Sequence, residues 1–402
     1  MRYTFIKRGE RMEIRQLNAE EYEQSVSLSE YAFQYTLTSE QKEERKERFK
    51  PEQFWGIFEE EKLQAKLTIV PFEVYLQGKV IPMGGIAGVA TWPENRRKGH
   101  VSKLLSQALK VMKEEGQILS FLHPFSIPFY RKYGWELYAE YKNYLISSKQ
   151  FPPKIEYPGK VVRDIKDIST LNKLYQSFAS SYHGTLVRDE EWWKYSVLDN
   201  TKHSAVYYSH GGEPQGYVLY ELKDKMLVCN EFVYLNEEAR GALWTFFSNH
   251  DSRIEQVKLT MVPADDNLPY MLPDPRVTQE TIPYFMGRIV DIESFLQQYT
   301  FEAGNNSELT IQIEDTAAPW NAGLWKISIY EQGQTKVIKV MGEKEEIQPD
   351  LIADIQVWTA LFLGYKRPER LFHIQKLKGK PQKAKELENL IPKAQTLLMD
   401  FF

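Results

Sequence analysis

One cysteine stands in 402 residues, Cys229, inside the apolar run Met226-Leu227-Val228-Cys229. A disulfide framework within the chain is therefore excluded. The residue reads as a small buried hydrophobe rather than a nucleophile. No apolar run approaches a membrane span, and residues 1–10 are polar with no hydrophobic leader core. The formal net charge of −4 leaves no global basic field to hold nucleic acid or an anionic membrane. A soluble, cytoplasmic protein without nucleic-acid or membrane partners is the expectation. Hydrophobic residues at 42% and aromatics at 13% suffice for sizeable cores, and the length suggests two or three domains.

The most informative stretch is Val89-Ala90-Thr91-Trp92-Pro93-Glu94-Asn95-Arg96-Arg97-Lys98-Gly99-His100-Val101. A small-residue strand over 86–91 runs into a turn with three consecutive cations and a glycine. A helix follows, with Val101, Leu104, Leu105, Ala108, Leu109 and Met112 on one face. Gly116 marks its end. Strand, cationic turn and helix make a pyrophosphate site on physical grounds. The first helical N–H groups lack internal partners, and the dipole favours an anion there. Gly99 permits close backbone approach, and arginine forks match phosphate oxygens. Neither Gly-x-x-x-x-Gly-Lys-Ser/Thr nor Gly-x-Gly-x-x-Gly is present at this turn. Taken alone, it is also readable as a basic surface turn before an ordinary helix.

Upstream, Asn18 is placed to cap a helix over 19–29, and 40–48 is a solvated, charged helix face. Strands are expected over 67–76 and 80–83, joined by Gln77-Gly78-Lys79. Gly84-Gly85 then leads into the central strand, marking a bulge or a close approach. Downstream come an apolar strand over 118–122, a break at 123–128 and a short helix over 129–135. The order then repeats. A helix runs to Ala179 and another starts at Asp189. Strands follow over 205–208, 216–222 and 227–235, then a helix over 237–249. Glu238-Ala239-Arg240-Gly241 stands where the cations were, a poor phosphate site. In the last third, strands are expected over 309–314, 325–330 and 335–340, then an amphipathic helix over 350–363.

Arg96-Arg97-Lys98-Gly99-His100-Val101 resembles the acetyl-CoA loop of the GCN5-related N-acetyltransferases (GNATs), Arg/Gln-x-x-Gly-x-Gly/Ala, with Val101 in place of the last small residue. The whole chain from residue 12 resembles the Eis ("enhanced intracellular survival") family. Pro93-Glu94-Asn95-Arg96-Arg97-Lys98-Gly99 is close to that family's Pro-x-x-Arg-Arg-Arg-Gly. Phe129-Tyr130-Arg131-Lys132-Tyr133-Gly134 is close to its Tyr-x-Arg-Phe-Gly, and the chain ends on Phe402 as family members do. The implied fold class is α/β (α+β): tandem GNAT-like domains, the second degenerate, followed by a sterol-carrier-protein-like α+β domain. The expected boundaries are 1–150, 151–287 and 288–402, with residues 1–11 an extension.

The resemblance implies transfer of acetyl from acetyl-CoA, as co-substrate and with no metal, to a small-molecule or peptide amine of aminoglycoside or lysine type. Tyr130 would protonate the departing thiolate, and the α-carboxylate of Phe402 would act as base. A free α-carboxyl titrates at about 3.3–3.7, so desolvation would have to strengthen it. Val89, Ala90 and Thr91 would contact the pantetheine arm, with the Val89 amide facing the oxyanion. Arg96, Arg97, Lys98, Gly99, His100, Val101 and Ser102 would hold the pyrophosphate, and Phe125 and Ser126 would add contacts. A homo-oligomer, possibly a hexamer, is also implied. The alternatives are a non-catalytic ligand- or lipid-binding protein, and an aminoacyltransferase on the same paired fold.

Overall fold

The computed structural model describes residues 3–7, 10–198, 201–340 and 348–402. Of the expected N-terminal extension, residues 1–2 and 8–9 lie outside them. Thirteen strands form one sheet: β1 Tyr3–Lys7, β2 Glu10–Gln16, β3 Phe54–Glu59, β4 Lys62–Leu76, β5 Lys79–Thr91, β6 Leu119–Leu122, β7 Glu136–Ser147, β8 Lys160–Arg163, β9 His203–Tyr208, β10 Pro214–Lys223, β11 Met226–Tyr234, β12 Gln256–Pro263 and β13 Thr278–Ile289. Their spatial order is β1-β2-β3-β4-β5-β6-β13-β7-β12-β11-β10-β9-β8. The helices on this sheet are α1 Tyr22–Phe33, α2 Ser39–Glu47, α3 His100–Glu114, α4 Ile127–Arg131, α5 Ile168–Ala179, α6 Glu190–Trp192, α7 Glu237–Ser248 and α8 Leu268–Met271.

The two GNAT-like halves exchange strands. β13, which follows the second half's helices, inserts between β6 and β7 of the first, and β7 in turn pairs with β12. Each half completes the other's hydrogen-bond ladder. In both halves the central parallel pair is short. β5 and β6 pair from Met83↔Leu119 to Ile86↔Leu122, and β11 and β12 from Met226↔Gln256 to Cys229↔Leu259. Beyond these points the strands separate into a V.

Several local expectations need correction. The strands expected over 80–83 and 86–91 are one continuous strand, β5, because Gly84 and Gly85 lie within its ladder with β4. The hairpin before it turns on two residues only, Gln77 and Gly78, both at positive φ, the twist that matches paired strands. The helix expected over 129–135 begins earlier and is α4. The helix expected over 350–363 divides into a strand, β17 Leu351–Asp354, and a helix, Ile355–Phe362. Asp354 caps that helix by accepting from Val357 N–H at 2.8 Å, which fixes the switch of period at that residue. β7 and β13, fully built into the sheet, carried no expectation.

The last third forms a five-stranded sheet from β14 Ser307–Glu314, β15 Gly323–Ile329, β16 Thr335–Lys339, β17 and β18 Lys378–Gly379, in the order β16-β15-β14-β17-β18. Trp325, Trp358 and Phe362 fill the space between this sheet and its helices. Arg288 of β13, fully buried, binds Asp315 at 2.5 Å and the Tyr133 carbonyl, tying this unit to the first half. That arginine dictates Gly134. A Cβ there would lie 1.7 Å from Arg288 Nη1, and φ is +89°. Among the described residues, no helix is long and apolar enough to cross a membrane.

Candidate active site

The expected cofactor side is formed by β5, the turn after it, and α3. Between Lys66↔Ala90 and Thr68↔Ala87, β5 carries one residue more than β4, a bulge at Gly88 with φ +56°. The bulge lies in the segment that has left β6, so Ala87–Thr91 backbone groups face the V. Thr91 Oγ1, in the same segment, is buried without a hydrogen-bond partner. The turn is held by a relay: Lys98 Nζ donates to Asn95 Oδ1 at 2.6 Å, and the buried Asn95 amide donates to Gln64. Arg97 and Gly99 both adopt left-handed backbone, φ +65° and +83°. α3 then starts with no side-chain cap, leaving its first N–H groups for an outside acceptor. Arg96, Arg97, Lys98 and Gly99 are all exposed.

The side chains along this stretch face different surroundings. The His100 ring is 4% exposed with both nitrogens unpartnered, and burial lowers its pKa. Ala90 points into the core under α1, and Val89 packs toward the α3 side. These three offer main-chain atoms rather than side chains to a ligand. Val101 and Ser102 are half-buried in the first turn of α3. The orphaned Thr91 hydroxyl, the unpaired β5 edge and the uncapped α3 terminus together fit the amide arm and the phosphates of acetyl-CoA.

Tyr130, in α4, is 2% exposed and packed against Phe125, Phe129 and Trp135 at ring distances of 5.3, 5.3 and 6.4 Å. Burial pushes its phenol pKa up, so it stays protonated and able to donate. Phe125 is 69% exposed, and Ser126 precedes the first residue of α4.

The tail runs back to this place. Thr396 bridges His183, whose backbone N–H donates to the Gln395 carbonyl at 2.8 Å and whose carbonyl accepts from Leu397 N–H at 3.0 Å. Leu397, Leu398 and Met399 are buried, and Phe402 settles against Phe72 at 5.0 Å and His123 at 5.1 Å. Its ring lies over Gly85 so closely that a Cβ there would stand 2.9 Å from Phe402 Cε2. The close approach expected at Gly84-Gly85 is thus made, at Gly85, by the rings of Phe72 and Phe402.

Sequence reasoning missed three of the groups that hold the tail. Asp400 accepts from Arg188 Nε at 2.8 Å and from Trp192 Nε1 at 2.8 Å, with the Tyr175 hydroxyl at 3.3 Å. Arg188, fully buried, also grips Glu231 at 2.6 and 3.2 Å. Burial, with Glu231 adding to it, holds the Asp400 carboxyl above its usual range. His123 Nε2 lies 3.4 Å from the Asp400 carbonyl, and burial pushes its pKa down to about 4, so the ring is a neutral wall. The break at His123-Pro124 was visible in sequence; its contact with residues 277 positions away was not.

The GNAT acetyltransferase domain family matches residues 13–138 and, through a second profile, 184–289, and a sterol carrier protein domain matches 292–399. An uncharacterized N-acetyltransferase of Streptomyces avermitilis is 25% identical over 348 residues, 80% of this chain and 81% of that one. The crystal structure of a probable N-acyltransferase from Enterococcus faecalis superposes with a TM-score of 0.90 at 31% identity, covering 97% of this chain and 99% of that one. Eis1 from Mycobacterium abscessus shares the fold with a TM-score of 0.80 at 21% identity, over 97% and 100% of the two chains. Two GNAT domains, a sterol-carrier domain and this kinship make the chain a member of the Eis family of GCN5-related N-acetyltransferases, and an N-acetyltransferase.

Proposed function

We propose that the protein moves the acetyl group of acetyl-CoA onto a primary amine of a small molecule or peptide, with Tyr130 as general acid and the Phe402 α-carboxylate as general base. The observation that carries this reading is the seating of Phe402 over Gly85, beside the β5 edge and the His123 loop that leads to Tyr130. Acetyl-CoA supplies the activated thioester. The unpaired edge over Ala87–Thr91 and the α3 terminus orient it, and the Val89 N–H faces the oxygen on which charge develops. The carboxylate of Phe402 takes the proton that an ammonium must lose before it can attack, directly or through one water. Tyr130 O–H gives its proton to the sulfur as the C–S bond breaks. On the acceptor side, a cavity of about 310 Å³ lies beside Phe72 and Trp192, with Arg48, Lys50, Asp189 and Glu191 on its walls. Its charges balance, so it accommodates a polar acceptor without demanding a polycation.

The test is thiol release from acetyl-CoA with a panel of amines including aminoglycosides and lysine peptides, run on the native chain and on one extended by a few residues after Phe402. Turnover by the native chain is expected, with loss in the extended one at unchanged acetyl-CoA affinity. Full activity of the extended chain refutes the base assignment. The homo-oligomer implied by the resemblance belongs to the same proposal, and light scattering on the eluting protein reads it.

A further inference from the structure

The second half has a V of its own, where β11 and β12 separate after Cys229↔Leu259, and here the sequence has removed the phosphate site. Only Leu235 and Asn236 separate β11 from α7, too few for a cationic turn. Asn236 caps the helix by accepting from Ala239 N–H at 2.9 Å, and Glu237 and Glu238 occupy the first turn. An anion is disfavoured at that end. The V has nevertheless not closed. A cavity of about 230 Å³ remains, walled by Tyr182, Phe232, Tyr234, Met261 and Met399, with Asp265 and Asp266 also lining it.

Two donors of cavity-lining side chains find no partner. Trp244, 1% exposed, has an unbonded indole N–H, and Arg240 Nη1 is buried and unbonded. They stand four residues apart on α7, hence on one helix face. A buried donor left unpaired is costly, and two in one cavity call for an acceptor from outside. The remaining charge narrows its kind. Arg240 is already neutralised by Glu237 at 2.7 Å, and the lining carboxylates Asp265 and Asp266 disfavour an anionic ligand. Aromatic and apolar side chains make up most of the walls, with Thr260 and Asn267 among them. The volume is below the roughly 300–1,000 Å³ of drug-sized sites, so the occupant is small.

The geometry points to a second ligand site in this cavity, taking a small neutral molecule whose amide or other carbonyl oxygen faces Trp244 and Arg240 and whose aromatic or alkyl body lies among Tyr182, Phe232 and Tyr234. The site is independent of the catalytic reading, and its test uses no turnover.

The experiment follows indole N–H resonances of the full-length, deuterated, ¹⁵N-labelled protein during titration with benzamide to about 10 mM, ten times a Kd of about 1 mM. Trp244→Phe assigns the relevant peak among the nine tryptophans. A saturable shift of the Trp244 resonance is expected with benzamide, and at least tenfold weaker binding of benzoate and benzylamine. Arg240→Met should weaken benzamide at least tenfold while the other indole peaks stay in place, showing an intact fold. Absence of a saturable Trp244 shift, benzamide binding unaltered by Arg240→Met, or benzylamine binding in place of benzamide would each overturn the proposal.

Discussion

Replacing Asp400 with alanine separates a tail held by its ion pair from one held by apolar packing alone. The side chain accepts from Arg188 Nε and Trp192 Nε1, both at 2.8 Å. Alanine would leave both donors unpaired wherever the tail stays docked. Each buried orphan costs about 1–3 kcal/mol. Arg188 keeps its grip on Glu231, which puts the total near the low end, about 3 kcal/mol against the docked tail. At about 1.4 kcal/mol per decade, that shifts docking roughly 100-fold. The expected result is a kcat/KM about 100-fold lower in an acetyl-CoA thiol-release assay. Acetyl-CoA affinity by calorimetry should be unchanged, because the α3 terminus is untouched. Asp400→Asn retains an acceptor oxygen and removes one of two carboxylates sharing a single guanidinium, so its loss should stay within about tenfold. An alanine variant with native turnover would refute the ion-pair anchor.

Gly85→Ala places a methyl 2.8 Å from the Phe72 ring and 2.9 Å from that of Phe402; the terminal ring yields first, and kcat should fall about tenfold or more by overpacking of about 1–3 kcal/mol, with unchanged kinetics contradicting the seating. Tyr130→Phe keeps the ring packing and removes the proton, so kcat should drop roughly 100-fold at native thermal stability; native kcat would dismiss the general-acid role. Lys66, 2% exposed, donates to Ser25 and Ser29 with no carboxylate in that set of bonds, and burial lowers its pKa from 10.5 to about 7. Between those values the unfolded chain holds a proton that the folded one lacks, so this group makes stability rise with pH from about 7 to about 10.5, by up to about 5 kcal/mol. Lys66→Met should flatten that rise and stabilise the protein near pH 7 in urea titrations; an unchanged pH slope would show that Lys66 stays charged.

The strand, the cationic turn and α3 were legible because their signals are local. The apolar face at 101, 104, 105, 108, 109 and 112, the cations and Gly99 all lie within a few turns of chain, where spacing translates directly into geometry. The same locality let Glu238-Ala239-Arg240-Gly241 be read as a lost phosphate site, and the structure supplies the reason: Asn236 starts the helix at once and carboxylates fill its first turn. The sequence did not fix side-chain direction: His100 inside the motif and Ala90 in the strand before it both bury their side chains. At 354, a cap converted one expected helix into a strand and a helix, because hydrophobic period alone does not fix where a short apolar run changes type.

The sequence by itself determined the cationic turn, the amphipathic helix after it and the terminal aromatic pair, each carried by neighbours along the chain. Only the tertiary structure decided that β13 completes the first half and β7 the second, that Arg188 and Asp400, 212 positions apart, anchor the tail, and that Gly85 is bare to admit Phe402. Those are pairings between distant segments, selected by burial and by the satisfaction of buried charge, and neither quantity exists until the chain has closed on itself.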